Sequence, residues 1–187
     1  KTPASWSRDG GFIIYEEQDS NGGSDLWILP TSGDKKPTPF LQTPFNERQA
    51  RFSPDGRWIA YLSSESGRDE VYVQNFPPTG SKWQISTDGG AQPQWRSDGK
   101  ELFYLASDGK MMAVPVRTDS TFEAGVPKPL FQTSFVGFVT GGFEHYAVSP
   151  DGQRFLLNFP AGETTDAPVN VVLNWFEELK KKVPLKQ

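Results

Sequence analysis

The hydrophobic residues of the chain fall in short segments separated by polar turns that contain glycine and proline. Between residues 49 and 86 the segments read QARFS, WIAYLSS, EVYVQNF and WQIS, and the turns read PDGR, ESGRD and PPTGSK. Segments of this length, rich in aromatic and β-branched residues and bounded by turn residues, are typical of β-strands rather than helices. The pattern therefore predicts four consecutive strands joined by three turns.

This unit occurs four times, and an Asp-Gly pair follows the first strand of each copy. The aspartates stand at positions 9, 55, 98 and 151, so their spacings are 46, 43 and 53 residues. A period of roughly 40 to 50 residues with four strands per unit is typical of propeller blades. We therefore predict an all-β chain, a β-propeller of four-stranded antiparallel blades at approximately residues 3–42, 47–87, 91–133 and 144–176. We expect residues 1–187 to form one region, with a fourth blade that lacks its last strand and a tail at 177–187.

The Asp-Gly pairs have a structural and a chemical interpretation. Glycine adopts positive φ, and an aspartate side chain accepts hydrogen bonds from backbone N–H groups two residues on, so the pair suits a tight corner. The alternative is four metal-binding carboxylates, but a calcium loop needs several oxygen ligands in one segment and SPDG offers one. The sequence favours a repeated blade corner, and we expect no metal and no cofactor.

Composition narrows the function. The chain has 18 glycines, 16 prolines and 13% aromatic residues, which agrees with an all-β protein. It has no cysteine, which excludes disulfides, thiolate metal sites and a cysteine nucleophile. The net charge of −4 gives no basic footprint, so we expect no nucleic-acid partner. No apolar run is long enough to predict membrane insertion by this segment.

Four segments carry a resemblance to a known family: DLWILP, RFSPDGRWIAYLSSESGRDEVYVQNFP, WRSDGKELFYLASDGKMMAVPV and VSPDGQRFLLN. In this order they resemble the TolB-like, Asp-Gly-type repeats of bacterial β-propellers, also called WD-like. More narrowly, the chain resembles the C-terminal blades of propellers that bacteria attach to membrane-anchored serine/threonine kinases or export as free proteins. The stretch VVLNWFEELKKK, which includes a short helix candidate, resembles the end of such chains.

The resemblance implies a closed ring, commonly of six or more blades, that serves as an extracytoplasmic sensor or binding platform. This sequence shows four units, so we expect further blades, and any kinase domain, to lie upstream of it. Kinase motifs are absent from the sequence, and kinase activity is not carried over. An isolated four-blade arc exposes two blade faces. We expect it to pair with another copy, close into a tight four-bladed ring or be unstable, and we favour self-association, with eight blades as one product.

Propellers place function at a mouth of the central channel, formed by the loops before the first strands and between the second and third. The copies align on Phe52, Trp95 and Val148, and polar residues precede each of these anchors. Regular alternation along a strand puts the residues one and three before an anchor on one face, opposite the anchor. The predicted ligand- or partner-binding residues are Arg48, Gln49, Arg51, Gln92, Gln94, Phe138, Glu144 and His145.

Two interpretations of these residues stay open. The glutamines and arginines either bond neighbouring backbones and waters in the channel, as buried polar groups must, or they recognise a ligand. Phe138 lies in the glycine-containing loop 132–146, which suits a ligand lid, a partner contact or a plug of the channel. His145 is the only histidine, and without a cysteine or a second histidine it does not predict a zinc site.

We expect a non-catalytic propeller that binds a protein or a small ligand at the channel mouth. The alternative is a propeller hydrolase or lyase, acting on glycan or peptide, that uses His145, Arg48 and carboxylates of the mouth. The sequence contains no Gly-x-Ser-x-Gly elbow, so nothing selects a serine nucleophile.

Overall fold

A computed structural model describes residues 1–18, 22–119, 121–135 and 144–158, and the backbone of 170–172. In these ranges every regular element is a β-strand. The strands form four antiparallel sheets that follow one another along the chain. The predicted C-terminal tail at 177–187 and the helix candidate beside it lie outside the described residues.

The first two sheets are simple meanders of four strands each, in which every strand pairs with its neighbours in sequence. The first contains β1 (Thr2–Trp6), β2 (Phe12–Gln18), β3 (Ser24–Pro30) and β4 (Thr38–Leu41). The second contains β5 (Glu47–Phe52), β6 (Trp58–Ser63), β7 (Glu70–Asn75) and β8 (Lys82–Gln84).

The third and fourth sheets depart from four strands. The third contains β9 (Gly90–Trp95), β10 (Glu101–Ala106), β11 (Lys110–Arg117), β12 (Glu123–Ala124) and β13 (Lys128–Gln132). Because β11 is long, its two ends pair with different short strands, β12 and β13, which share the outer position. The fourth sheet, in the part described, contains β14 (Tyr146–Val148), β15 (Phe155–Leu157) and β16 (Asn170–Val172).

Each Asp-Gly pair lies between the first and second strands of its sheet, as predicted. In the first corner, the hydroxyl of Ser7 and the N–H of Gly11 donate to one oxygen of Asp9, at 2.6 and 2.9 Å. The Ser7 oxygen in turn accepts the N–H of Phe12 at 2.9 Å. These hydrogen bonds lower the pKa of the Asp9 carboxyl, and the bond from the Ser7 hydroxyl has the larger effect.

The other corners repeat this geometry. The second and fourth use Ser53 with Asp55 and Ser149 with Asp151, whereas in the third Arg96 bonds both oxygens of Asp98. In the described residues, no group of three or more acidic, histidine or cysteine side chains is placed to hold a metal ion. The repeated aspartates are therefore used in turns.

The core consists of three apolar layers, one between each pair of successive blades. In the first layer Ile14 and Leu26 of blade 1 pack against Phe52 and Tyr61 of blade 2. Aromatic contacts connect the later blades: Trp58 lies 5.4 Å from Phe122, and Phe103 lies 5.2 Å from Phe155, between ring centroids. Successive sheets are thus stacked face to face, which is the packing of a propeller.

The first and fourth blades each have large apolar residues that are exposed to solvent. Trp6 is 62% exposed, whereas Phe52 and Trp95 at the same repeat position are 8% and 9% exposed because each packs on the preceding blade. Leu156, on the fourth blade, is 47% exposed. Closure into a tight four-bladed ring, one of the three expected outcomes, requires burial of Trp6. Closure and self-association both stay predictions.

The corner geometry predicts how two glycines respond to alanine. Gly56 has φ of 72° and a Cβ there meets nothing within 4 Å, so Gly56→Ala tests backbone strain alone. We expect a loss of about 1–2 kcal/mol in the free energy of unfolding, measured by urea denaturation. The matched Gly152→Ala has φ of 71° and also brings Cβ within 2.7 Å of Arg96 Cδ, so it must cost more. Equal losses at the two positions contradict this account of the corner.

Candidate functional site

The first strands of the second and third blades each contain a bulge on the channel side of the sheet. In β5, Arg48 pairs with Leu62 and Arg51 with Ala60, so two residues of β5 oppose one of β6. The same register shift occurs between β9 and β10. The bulged residues Gln49 and Gln92 have φ of 56° and 55°, the left-handed region that non-glycine residues rarely adopt.

The sequence predicts that Gln49 and Arg51 lie on one face of the strand, opposite Phe52. A bulge interrupts the regular alternation of β5 at this point. Gln49 and Arg51 nevertheless line one cavity, whereas Ala50 and Phe52 are buried.

A chain of hydrogen bonds connects these bulges from blade to blade. Glu16 Oε1 accepts the backbone N–H of Gln49 at 2.6 Å, and Gln49 Oε1 accepts that of Gln92 at 2.8 Å. Gln92 Oε1 accepts the N–H of His145 at 2.9 Å. We call Glu16, Gln49, Gln92 and His145 the interblade ladder. Each blade thus supplies the acceptor for the next blade's first strand.

The His145 ring is held at the end of the ladder. Because the oxygen of the Gln92 amide faces the His145 N–H, its nitrogen faces the ring and donates to Nδ1 at 2.7 Å. In the neutral ring the proton is then on Nε2. The ring also contacts Phe135 edge to face at 5.0 Å. Tyr146 donates its hydroxyl to the Gln92 carbonyl at 2.7 Å, and burial raises the pKa of this phenol well above its usual value.

A second set of polar contacts crosses the channel. The Arg51 guanidinium forms an ion pair with Glu144, and its other terminal nitrogen donates to the carbonyls of Ala4 and Ala50. Gln94 Nε2 donates to the Tyr146 carbonyl at 2.7 Å and lies 3.4 Å from the second oxygen of Glu144. Arg51 of blade 2 and Gln94 of blade 3 therefore both contact the carboxylate of Glu144, which precedes the first strand of blade 4.

These contacts border a cavity of about 410 Å³, which we call the mouth pocket. It is lined by Lys1, Thr2, Pro3, Ala4, Glu16, Gln18, Gly22, Ser24, Asn46, Arg48, Gln49, Arg51 and Glu144. Arg48 donates to Asp69 at 2.9 Å, while its buried Nε has no hydrogen-bond partner among the described residues.

A buried acid lies next to this arginine. Glu47 accepts a hydrogen bond from the Thr43 hydroxyl at 2.6 Å, but in the part of the chain that the structure describes its Oε2 has no hydrogen-bond partner. Burial raises the pKa of Glu47, and the Thr43 bond offsets only part of that rise. This carboxyl lies within the wall and is not among the residues that line the mouth pocket.

The structure separates the predicted site residues into groups. Arg48, Gln49, Arg51 and Glu144 all line the mouth pocket. Gln92 and His145 belong to the interblade ladder. Gln94 lines a neighbouring depression together with Trp6, Phe52 and Trp95, and Arg51 lines both this depression and the mouth pocket. Phe138 lies outside the described residues.

Glu16 and Asn46 of the mouth pocket were not predicted. Alignment on the anchor gives blade 1 a proline, Pro3, at the position of Gln49, so that alignment does not find a polar residue in this blade. Glu16 instead occupies the β2 position that is leucine in the next two blades, Leu62 and Leu105. A polar residue at a position that is leucine in the next two blades is a signal that the sequence contains.

Comparison with known proteins defines the fold. TolB from Acinetobacter baumannii is 21% identical, with a TM-score of 0.62 over 83% of this chain and 36% of TolB. The Cps50 (Swd1) β-propeller domain of Myceliophteria thermophila is 14% identical, with a TM-score of 0.57 over 90% of this chain and 55% of that one. Pseudomonas aeruginosa periplasmic gluconolactonase, PpgL, is 15% identical, with a TM-score of 0.50 over 83% and 49%.

The chain therefore has the β-propeller fold of TolB-like and WD-like proteins. It spans about a third of the length of that TolB and about half of the other two. No protein-family model and no curated protein matches it. Propellers of this shape include both TolB and an enzyme, so the fold does not decide between binding and catalysis. Within the described residues, no helix is long and apolar enough to cross a bilayer.

The ladder predicts different effects for two neighbouring glutamines. Gln92→Ala removes the acceptor of the His145 N–H and the donor to its ring in a buried position, so we expect a loss of about 2 kcal/mol in unfolding free energy. Gln94→Ala, the matched control in the same strand, removes a half-buried bond that water replaces, and costs less than about 1 kcal/mol. Chemical denaturation of both variants measures the difference, and a Gln92→Ala protein as stable as Gln94→Ala contradicts the ladder.

Proposed function

We propose that the protein is a non-catalytic β-propeller module that recognises a protein segment or a small ligand at the channel mouth. The observation that carries the proposal is the mouth pocket, to which blades 1 and 2 and residue Glu144, before the first strand of blade 4, all contribute. Ligand sites on propellers form where loops and strand ends of several blades meet on a rigid scaffold. The polar lining suits recognition by hydrogen bonds and charge.

The geometry of His145 favours binding over catalysis. A general base needs a free lone pair within reach of the substrate. In His145 the Nδ1 lone pair accepts a hydrogen bond from Gln92, and the neutral ring carries its proton on Nε2. Neither nitrogen is then a free base. The hydrolase or lyase interpretation, which relied on this histidine, therefore has no specific observation in its favour.

We further propose that the module works outside the cytoplasm. The support is the resemblance of its repeats to exported propellers and the shape that it shares with TolB and with a periplasmic gluconolactonase. That a ligand or a partner binds to the module is also a proposal, and it depends on the mouth pocket.

The proposal predicts that a bulky residue at the mouth blocks binding. Peptides are selected from a random phage-displayed library on the wild-type protein, and their affinities are measured by biolayer interferometry. Asn46→Trp places an indole in the mouth pocket and keeps the backbone bond from Asn46 N–H to Ser64 Oγ. We expect it to weaken binding about tenfold or more.

The control is Glu123→Trp, which adds the same indole on the exposed strand β12, away from the channel. This variant must bind the selected peptides like the wild type. If Asn46→Trp also binds them with unchanged affinity, recognition does not take place at the mouth.

A further inference from the structure

We propose that Arg51 and Gln94 form a carboxylate-binding site for an acidic side chain of a peptide ligand, and that Glu144 occupies this site in the free protein. The inference rests on the proposed function, because it names the ligand chemistry of the same mouth. Glu144 then acts as an internal competitor that any acidic ligand must displace.

The donors of the site are already arranged around a carboxylate. One terminal nitrogen of Arg51 is anchored to the carbonyls of Ala4 and Ala50, which fixes the guanidinium and directs the other nitrogen at Glu144 Oε1. Gln94 Nε2, anchored on the Tyr146 carbonyl at 2.7 Å, lies 3.4 Å from Glu144 Oε2. Two donors from different blades, each held by a backbone carbonyl, thus face one carboxylate group.

The occupant is held less firmly than the donors. The Glu144 side chain is 42% exposed, whereas the Arg51 side chain is 21% exposed. Ion pairs with one exposed partner contribute little stability, so a rotation of the Glu144 side chain into solvent is inexpensive. A ligand carboxylate that takes its place makes the same two contacts.

The charge of the mouth pocket favours an anionic ligand once Glu144 has left. Its charged lining residues are then Lys1, Arg48 and Arg51 against Glu16. Glu16 is already used, since its Oε1 accepts the N–H of Gln49. Arg48 and Lys1 already pair with Asp69 and Glu17, at 2.9 and 3.2 Å. Among the described residues, Arg51 is therefore the lining cation that an acidic residue reaches once Glu144 has left.

The experiment is an NMR titration of the whole 187-residue chain. The probe is the hexapeptide Ser-Asp-Glu-Asp-Glu-Ser, and the matched neutral probe is Ser-Asn-Gln-Asn-Gln-Ser. The signals followed are the Arg51 Nε–H and the side-chain amide of Gln94. Glu144→Gln removes the competing charge with little change in shape, and Glu123→Gln, on an exposed strand, is the control for net charge. Free glutarate, added separately, distinguishes a small acid from a peptide.

We expect the acidic peptide to shift both signals and to bind Glu144→Gln about fivefold more tightly than the wild type, the factor that corresponds to one partly exposed ion pair. Glu123→Gln must bind like the wild type, and the neutral peptide must bind every variant weakly. The double variant Arg51→Gln, Glu144→Gln must not show the increased affinity for the acidic peptide. Thermal melting checks that the double variant is folded. Binding of glutarate as tight as that of the acidic peptide would show that the occupant is a small acid, which overturns the peptide assignment.

Other outcomes separate this inference from the proposed function. If Glu144→Gln binds the acidic peptide no more tightly than the wild type does, Glu144 is not a competitor and the proposed carboxylate site is wrong. The same conclusion follows if Glu144→Gln gains equal affinity for the acidic and the neutral peptide. The proposed function still holds in that case, provided that selected peptides lose affinity with Asn46→Trp. If those peptides are unaffected by Asn46→Trp while Glu144→Gln gains affinity for the acidic peptide, the proposed recognition surface is wrong and the local carboxylate site is right.

Discussion

The structure depends on how the bulged first strands satisfy their backbone N–H groups. A bulge interrupts the hydrogen bonds of its own sheet and turns an N–H away from it, and an unpaired buried N–H is costly. In this chain the preceding blade supplies the acceptor: Glu16 accepts the N–H of Gln49, and the Gln49 side chain accepts the N–H of Gln92. Both glutamines keep a left-handed backbone because each is held by two contacts. The N–H donates to the preceding blade, and the side-chain oxygen accepts an N–H of the following blade. The polar ladder therefore sets the register of one blade on the next, while the apolar layers supply most of the burial.

The ladder also holds side chains that line the mouth pocket. Arg48 and Arg51 lie on either side of the bulged residues, so the interblade contacts that fix Gln49 also fix the position of both arginines. Arg51 is further tied to the Ala4 carbonyl of the preceding blade. Preorganised donors of this kind lose little freedom when a ligand binds, which is where a binding site gains affinity.

The period of the sequence was sufficient to predict the fold but not the details of the mouth. The Asp-Gly corners have a local chemical cause, a glycine with positive φ and an aspartate that bonds the backbone two residues on, so they were predictable residue by residue. The bulge at Gln49 has no such local signal, because glutamine does not favour a left-handed backbone and the stabilising acceptor is Glu16, 33 residues away. Likewise Trp6 occupies the repeat position of Phe52 and Trp95, yet it is exposed because burial of this position needs a preceding blade.

The most direct test of the ladder is hydrogen exchange at single backbone amides, followed by NMR. The account predicts that the amides of Gln49 and Gln92 exchange as slowly as those of Ala60 and Phe103 in the neighbouring strands, although both lie in bulges. Slow exchange at these two positions means that the preceding blade holds them. Exchange as fast as that of an exposed turn such as Gly80 would contradict the claim that side-chain acceptors fix the register of the blades.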